Sequence, residues 1–333
     1  MGRMLSRDVL RAVAGALALA GAASGPAAAA DMWDCYITFP VSTVPNVQGV
    51  QRILDGINQQ TNGALTIRMH LGGSLPINTT NITQAVADSV VQMGDDAFFQ
   101  GNVPIAGLLR LPLLIRNDKE FDKAAAIMDP YTKRAYERKG IVVIGQYAYP
   151  LQVPFSRKKL TSLEDIKGLK LRPTSPEQGE FIKRFGGIVV SFGAPEVPAA
   201  LDRGVVDGVV TANAVGGLVW REQLKYRFGI GLNYGNSIII VNKEAFQKLA
   251  PDVQAKLRKL AEDETRKITT TLEEQENTLT AKFASEGMIT TEAKPEEVAQ
   301  AEKVMLPYWD EWAKVRGPEA VEALAKVRAA LGR

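Results

Sequence analysis

The stretch TSLEDIKGLKLRPTSP, residues 161–176, decides how the chain is read. Thr161 to Lys167 has the makings of a short capped helix, and Gly168 ends it. Leu169 to Arg172 reads as a brief apolar strand. Pro173, with no N–H to offer a neighbouring strand, stops it at once. Arg172 therefore stands at a strand end with its backbone pinned on both sides. A guanidinium is a planar fork that fits a carboxylate at two points. Arg172 is expected to hold an acidic ligand, and most of the chain to build a cleft around it.

Upstream of this stretch, Met32 to Phe39 is an expected strand ended by Pro40. Val47, Val50, Ile53, Leu54 and Ile57 recur at helical spacing within residues 46–61, and Asn62-Gly63 stops that helix. Ala64 to His70 alternates as a second strand. Strand, helix, strand is the opening of an α/β layer. Further helices are expected at 81–89 and 118–138, with strands within 90–99 and at 141–149. Residues 108–115 read as a packed loop or edge. A crossover between domains is expected near Tyr149-Pro150. The adjacent carboxylates Asp95 and Asp96 would point to opposite faces of a strand, so they do not form an acid pair.

Downstream, the expected elements are a helix at 177–185, a strand at 188–192, a helix at 195–201 and a strand at 205–211. The strand SIIIVN, 237–242, leads back to the first domain. Residues 251–286 form one long helix candidate of about 50 Å, enough to run along two domains. Pro295 opens another helix by the first-turn preference of proline, Pro307 is expected to break it, and Gly317-Pro318 separates a last one ending near Leu331.

The chain has 333 residues, and its first 30 have the pattern of a secretory signal: Arg3, Arg7 and Arg11, a short apolar core at 13–23, and Ala28-Ala29-Ala30 before an expected cleavage. Removing them takes away three arginines and one aspartate, so the formal net charge falls from +3 to +1. Nothing in that balance points to nucleic acid. No later stretch is apolar for long enough to cross a bilayer. About 300 residues remain, which suggests two domains. Cys35 is the sole cysteine, read as a buried strand residue, and His70 the sole histidine. Ser-His, Cys-His and zinc chemistries are thereby nearly excluded.

GLKLRPTSP (168–176), EVPAAL (196–201), RGVVDGVV (203–210) and SIIIVNKEAFQKLAPDVQAKL (237–257), in this order, strongly resemble the solute-binding proteins of TRAP transporters, the DctP family named for C4-dicarboxylate uptake. GGSL (72–75) and QMGDDAFF (92–99) also fit, and the likeness covers nearly all of the chain after residue 30. The resemblance implies a two-domain, Venus-flytrap α/β fold like that of periplasmic binding proteins. Two strands join the domains and a long helix lies along both. Domain I is expected at 31–149 plus about 238–277, and domain II at 150–237 plus about 278–333. It also implies a periplasmic carrier, not an enzyme, that hands an organic acid to a membrane permease of a small and a large subunit. No cofactor is implied.

Carried over position by position, Arg172 matches the arginine that pairs with a ligand carboxylate. Twenty residues earlier, where some members have a second arginine, this chain has Gln152, which implies one firmly held carboxylate rather than two. Thr211, with Asn213 two further along, stands where many members place a polar cleft residue. Ser175 follows Arg172 by three, where a polar cleft residue is common. Ala194 or Pro195 replaces an aromatic and leaves more room. Phe39 and Phe98 are cleft walls or ordinary core, and Asn236 is a further inward-facing candidate. Members that bind keto acids through a metal carry an acidic residue and a tryptophan after Asp-Gly. Val209 and Val210 stand there, so no metal is expected. Two other readings remain open at this level: an exported carboxylate-binding enzyme, and a receptor that feeds a sensor.

Overall fold

The computed structural model describes residues 31–333; the expected leader, 1–30, lies outside the described residues. In chain order the elements are β1 (Asp31–Ile37), α1 (Pro45–Gln60), β2 (Leu65–His70), α2 (Ile82–Ala87), β3 (Met93–Asp96), α3 (Asp118–Glu137), β4 (Ile141–Ser156), β5 (Lys170–Arg172), α4 (Pro176–Arg184) and β6 (Ile188–Val189). There follow α5 (Val197–Asp202), β7 (Gly208–Thr211), β8 (Tyr226–Gly229), β9 (Asn233–Asn242), α6 (Lys243–Lys248), α7 (Pro251–Ser285), β10 (Ile289–Glu292), α8 (Pro295–Arg316) and α9 (Pro318–Leu331).

The strands form one mixed sheet in the order β2-β1-β3-β9-β4-β7-β5-β6, with β8 against β4 and β10 against β8. Two half-sheets are joined by β4 and β9. These pair antiparallel from Ile141↔Asn242 to Gln152↔Asn233, with irregularities at Val143/Gly145 and Tyr149/Leu151. In the first half, β9 pairs with β3; in the second, β4 goes on to pair with β7 and β8. The expected strand 141–149 is thus longer than its apolar pattern. It continues through Pro150 and Pro154, since an irregularity at one and the ladder's spacing at the other spare an N–H. The 35-residue α7 packs on α1 and β4, bridging both halves with its buried stripe of Val253, Leu257, Ile268, Leu272, Leu279 and Phe283.

Several expectations change. Residues 161–167 make only a single 3-10 turn, Glu164–Ile166, closed by the Asp165 carboxylate, which accepts from the Thr161 N–H and hydroxyl at 2.8 Å each. The expected strand 188–192 stops at Val189. Helix α8 runs straight through Pro307, because that residue faces solvent while Met305, Trp309 and Trp312 anchor the buried side. The carbonyl that loses its partner there is on the wet face. α8 ties the segment before α3 to α4: Trp309 Nε1 donates to Pro112 O at 2.9 Å and Trp312 Nε1 to Glu177 at 2.8 Å. α9 lies on α3, where Glu322 and Glu319 accept from Tyr131 and Arg134 at 3.0 Å each. The last helix therefore sits with the first half of the sheet, not the second.

Asp95 and Asp96 face opposite sides of β3, as alternation requires, and both are fully buried. Asp95 accepts from Ser237 and, at 2.8 Å, from the Tyr147 hydroxyl; Asp96 accepts from Thr83 and, at 3.2 Å, from Tyr136. Burial outweighs these bonds and pushes the carboxyls up to about 6 and about 7. The folded chain then holds more protons than the unfolded chain from about pH 4 upward. This contribution to stability is complete below that pH and is lost as pH rises through about 7. Asp96→Asn, which keeps an acceptor for Thr83 and Tyr136, is expected to flatten the fall in Tm between about pH 4 and 7. A variant with the parent slope would exclude Asp96 as its source.

Candidate functional site

Arg172 ends β5, whose register against β7 sets Arg172 opposite Val209. Its side chain is 1 % exposed. Nε donates to the Phe192 carbonyl at 3.1 Å, and the guanidinium lies over the Phe98 ring at 5.2 Å and the Phe192 ring at 6.0 Å. The strand from Ile188 stops at Val189 because its partner β5 runs out at Arg172, before Pro173. Nη2 is buried and has no hydrogen-bond partner among the described residues. Burial, partly offset by the charge of Glu196, lowers the group to about 10, so it stays cationic at neutral pH.

The enclosed space at this cation is small, about 30 Å³, room for about one water in the arrangement described. Residues from both halves of the sheet line it: Thr38, Phe39, Phe98 and Arg110 from the first, Arg172, Thr211 and Trp220 from the second, and Tyr149 and Gln152 from the joining strand β4. Phe39 stacks on Trp220 across the two halves, with centroids 6.4 Å apart and planes 15° apart.

Of the expected site residues, Arg172, Gln152, Thr211, Phe39 and Phe98 meet at the cavity, and Ala194 lies in its wall. Ser175 does not reach it: its hydroxyl caps α4, accepting from Gln178 N at 3.3 Å. Asn213 is turned away because β7 ends at Thr211 and the chain enters a single helical turn, Asn213–Gly217. Two-residue alternation no longer applies there. Its amide bonds Thr280 on α7 at 3.0 Å and Arg227 at 2.9 Å. Glu276 of α7 accepts from the Asn213 and Ala214 N–H groups, and burial raises that carboxyl to about 7. Asn236 lies behind the cavity, where its Oδ1 accepts from Arg110 Nε at 3.0 Å.

Arg110 itself is not among the expected residues. It is 2 % exposed, and among the described residues it has no carboxylate partner. Its donors are spent on carbonyl oxygens: Ala97 at 2.8 Å, Thr174 at 3.3 Å, and that of Asn236. Burial lowers it to about 10. It thus ties the end of β3 and the joining strand β9 to the loop after Arg172. The available signal was a single charge inside the apolar run IAGLLRLPLLI, 105–115, since a cation flanked so closely by leucines must be accommodated inside. Trp220 and Tyr149 carried no comparable signal. Two buried guanidiniums and no carboxylate line the cavity, an arrangement that lowers the cost of taking an anion out of water. Among the described residues no cluster of His, Cys, Asp and Glu is placed to hold a metal ion, and no helix is long and apolar enough to cross a membrane.

Comparison with known proteins bears on the same architecture. Residues 39–315 match the model of the DctP family, bacterial extracellular solute-binding protein, family 7. The C4-dicarboxylate-binding periplasmic protein DctP of Rhodobacter capsulatus is 25% identical over 329 residues, 96% of this chain and 98% of that protein. The 2,3-diketo-L-gulonate-binding periplasmic protein YiaO of Escherichia coli K12 is 25% identical over 63% of this chain and 65% of its own length. Among solved structures, DctP7 of Bordetella pertussis, an extracytoplasmic solute receptor binding pyroglutamic acid, superposes with a TM-score of 0.84 at 23% identity, covering 90% of this chain and 100% of that one. A TRAP solute-binding protein of Haemophilus influenzae with bound L-gulonate gives 0.80 at 19% identity, covering 90% and 99%. The two-domain fold is that of these proteins, and the chain belongs to the DctP family of bacterial extracellular solute-binding proteins.

Proposed function

We propose that this protein binds a small organic acid between its two lobes and delivers it, in the periplasm, to a TRAP permease of a small and a large subunit. It carries its ligand without chemically changing it. One observation supports this reading most directly: the buried guanidinium of Arg172, with Nη2 unpartnered, in a cavity that no carboxylate lines. A bare buried cation is costly, and a ligand carboxylate in two-point contact offsets that cost. The organic acids bound by the Bordetella and Haemophilus proteins agree with it. The lobes follow the half-sheets, hinging where β4 and β9 cross near Tyr149 and Gln152; the last helix travels with the first lobe because it packs on α3. Gln152, Thr211, Phe39 and Phe98 surround the remainder of the ligand.

Closure is driven by whatever part of the ligand's affinity exists only in the shut form. The Phe39–Trp220 stack spans the two lobes and reports on it. A thermal-shift screen of organic acids is expected to find a ligand that raises Tm by roughly 5 °C or more at a hundredfold excess over Kd. The same ligand should change tryptophan fluorescence, and Trp220→Phe should remove most of that change. Shifts produced only by sugars or amines would count against the whole reading.

A further inference from the structure

The cavity presents hydrogen-bond donors in a fixed pattern, and that pattern specifies the part of the ligand that Arg172 does not touch. The pattern starts from a group that can only donate, the backbone N–H of Thr174, which bonds Gln178 Oε1 at 2.6 Å. Gln178 Nε2 must then donate, and it does so to Asn233 Oδ1 at 2.9 Å and Gln152 Oε1 at 2.6 Å. Gln152 Oε1 also receives the Thr174 hydroxyl at 2.6 Å. The oxygen end of Gln152 is thereby committed to Thr174 and Gln178, and Nε2 makes no hydrogen bond among the described residues. Gly235 makes room for this nitrogen, since a Cβ there would overlap it. Thr211 accepts from Gly216 N at 3.2 Å and keeps its own proton uncommitted. Tyr149 brings no donor: Tyr147 gives its one proton to Asp95, so Tyr149 donates to Tyr147 at 2.9 Å.

We propose that the ligand is a small monocarboxylate whose second polar group is an uncharged acceptor oxygen, a keto or lactam carbonyl bonded by Gln152 Nε2 and the Thr211 hydroxyl, and that acids bearing an ammonium group are rejected. This rests on the reading that Arg172 binds a carboxylate. An ammonium entering the cavity meets two guanidiniums and no carboxylate. An acid that lacks the acceptor leaves the Gln152 donor unsatisfied in an enclosed space. The aromatic walls, Phe39, Phe98 and Trp220, take the apolar body between the two polar ends.

The test is calorimetric titration of the full chain with matched acids: 3-methyl-2-oxobutanoate against 3-methylbutanoate and L-valine, L-pyroglutamate against L-proline, and succinate as a dicarboxylate. At least one of the two carbonyl-bearing acids is expected to bind, 3-methyl-2-oxobutanoate about tenfold or more tighter than 3-methylbutanoate, while the amino acids L-valine and L-proline give no binding. Gln152→Glu, nearly isosteric, is expected to cut binding of that acid at least 100-fold. Gln178→Leu, which releases the Gln152 amide to turn over, is expected to erase the preference for the carbonyl even though residue 178 does not line the cavity. A residue that merely supported the fold would lower Tm and leave that preference intact. If a variant does not fold, the ratios of the parent chain decide alone. Tightest binding of an amino acid or of succinate, or no binding of either carbonyl-bearing acid, overturns the inference. If other carboxylates then still bind in a manner abolished by Arg172→Ala, the carboxylate reading stands without it; binding indifferent to Arg172 removes both.

Discussion

Arg172→Ala is expected to weaken ligand binding by roughly 30-fold to several thousand-fold, equivalent to about 2–5 kcal/mol, while the chain still folds. The ligand carboxylate loses its charge-assisted, two-point partner and is left in an enclosed site beside Arg110, whose donors are committed to carbonyl oxygens. Lysine at 172 keeps the charge but not the fork, and should fall between. Without ligand, the variant is expected to melt at the parent temperature or above it. The parent buries a cation with an unpartnered Nη2, and alanine relieves that cost. Titration of the ligand that emerges from the thermal screen, with melting of the apo forms, reads both effects. Unchanged affinity would sink the carboxylate site.

Gly208→Ala is expected to destabilise the chain by about 3 kcal/mol or more, lowering Tm by roughly 10 °C. Gly208 sits on β7 between β4 and β5, opposite Ser156 on one side and Leu171 on the other. A Cβ there would fall well inside contact distance of the Phe155 carbonyl oxygen and lie 2.9 Å from Ser156 Cα. Both are main-chain atoms of a paired strand and cannot swing aside. The damage reaches the ligand site too, because the β7–β5 pairing holds Arg172 in place. Gly204→Ala is the control. Its φ of +66° also favours glycine, but nothing lies within 4 Å of an added Cβ, so a loss of only about 1 kcal/mol is expected. A loss at Gly208 no larger than at Gly204 would mean that the sheet yields to the added methyl and that the close strand approach does not require glycine there.

The strand carrying Arg172 was legible because its signals are local. A glycine with φ +76° at 168 begins it and a proline at 173 ends it. The long α7 was legible from one apolar stripe between Pro251 and Gly287. Expectations failed where a distant partner decides the outcome. Asn213 shares strand spacing with Thr211, yet a carboxylate on α7 captures its N–H and turns the chain out of the sheet. Ser175 has the right residue type three places after Arg172, but capping α4 claims its hydroxyl. Pro307 should end a helix in isolation; tertiary burial of Trp309 and Trp312 carries the helix past it.

What the amino-acid order determined by itself, then, was the alternation of strands and helices, the family likeness, and the cation at the end of β5. Periodicity, proline and glycine act within a few residues and need no partner. What only the tertiary structure decided was which groups share the cavity: Arg110 and Trp220 approach Arg172 from 62 and 48 positions away along the chain. It also decided the direction in which Gln152 points. That orientation descends from one backbone N–H at Thr174 through Gln178. Side-chain amides carry no orientation in a sequence and acquire one only when a donor of fixed polarity is packed against them.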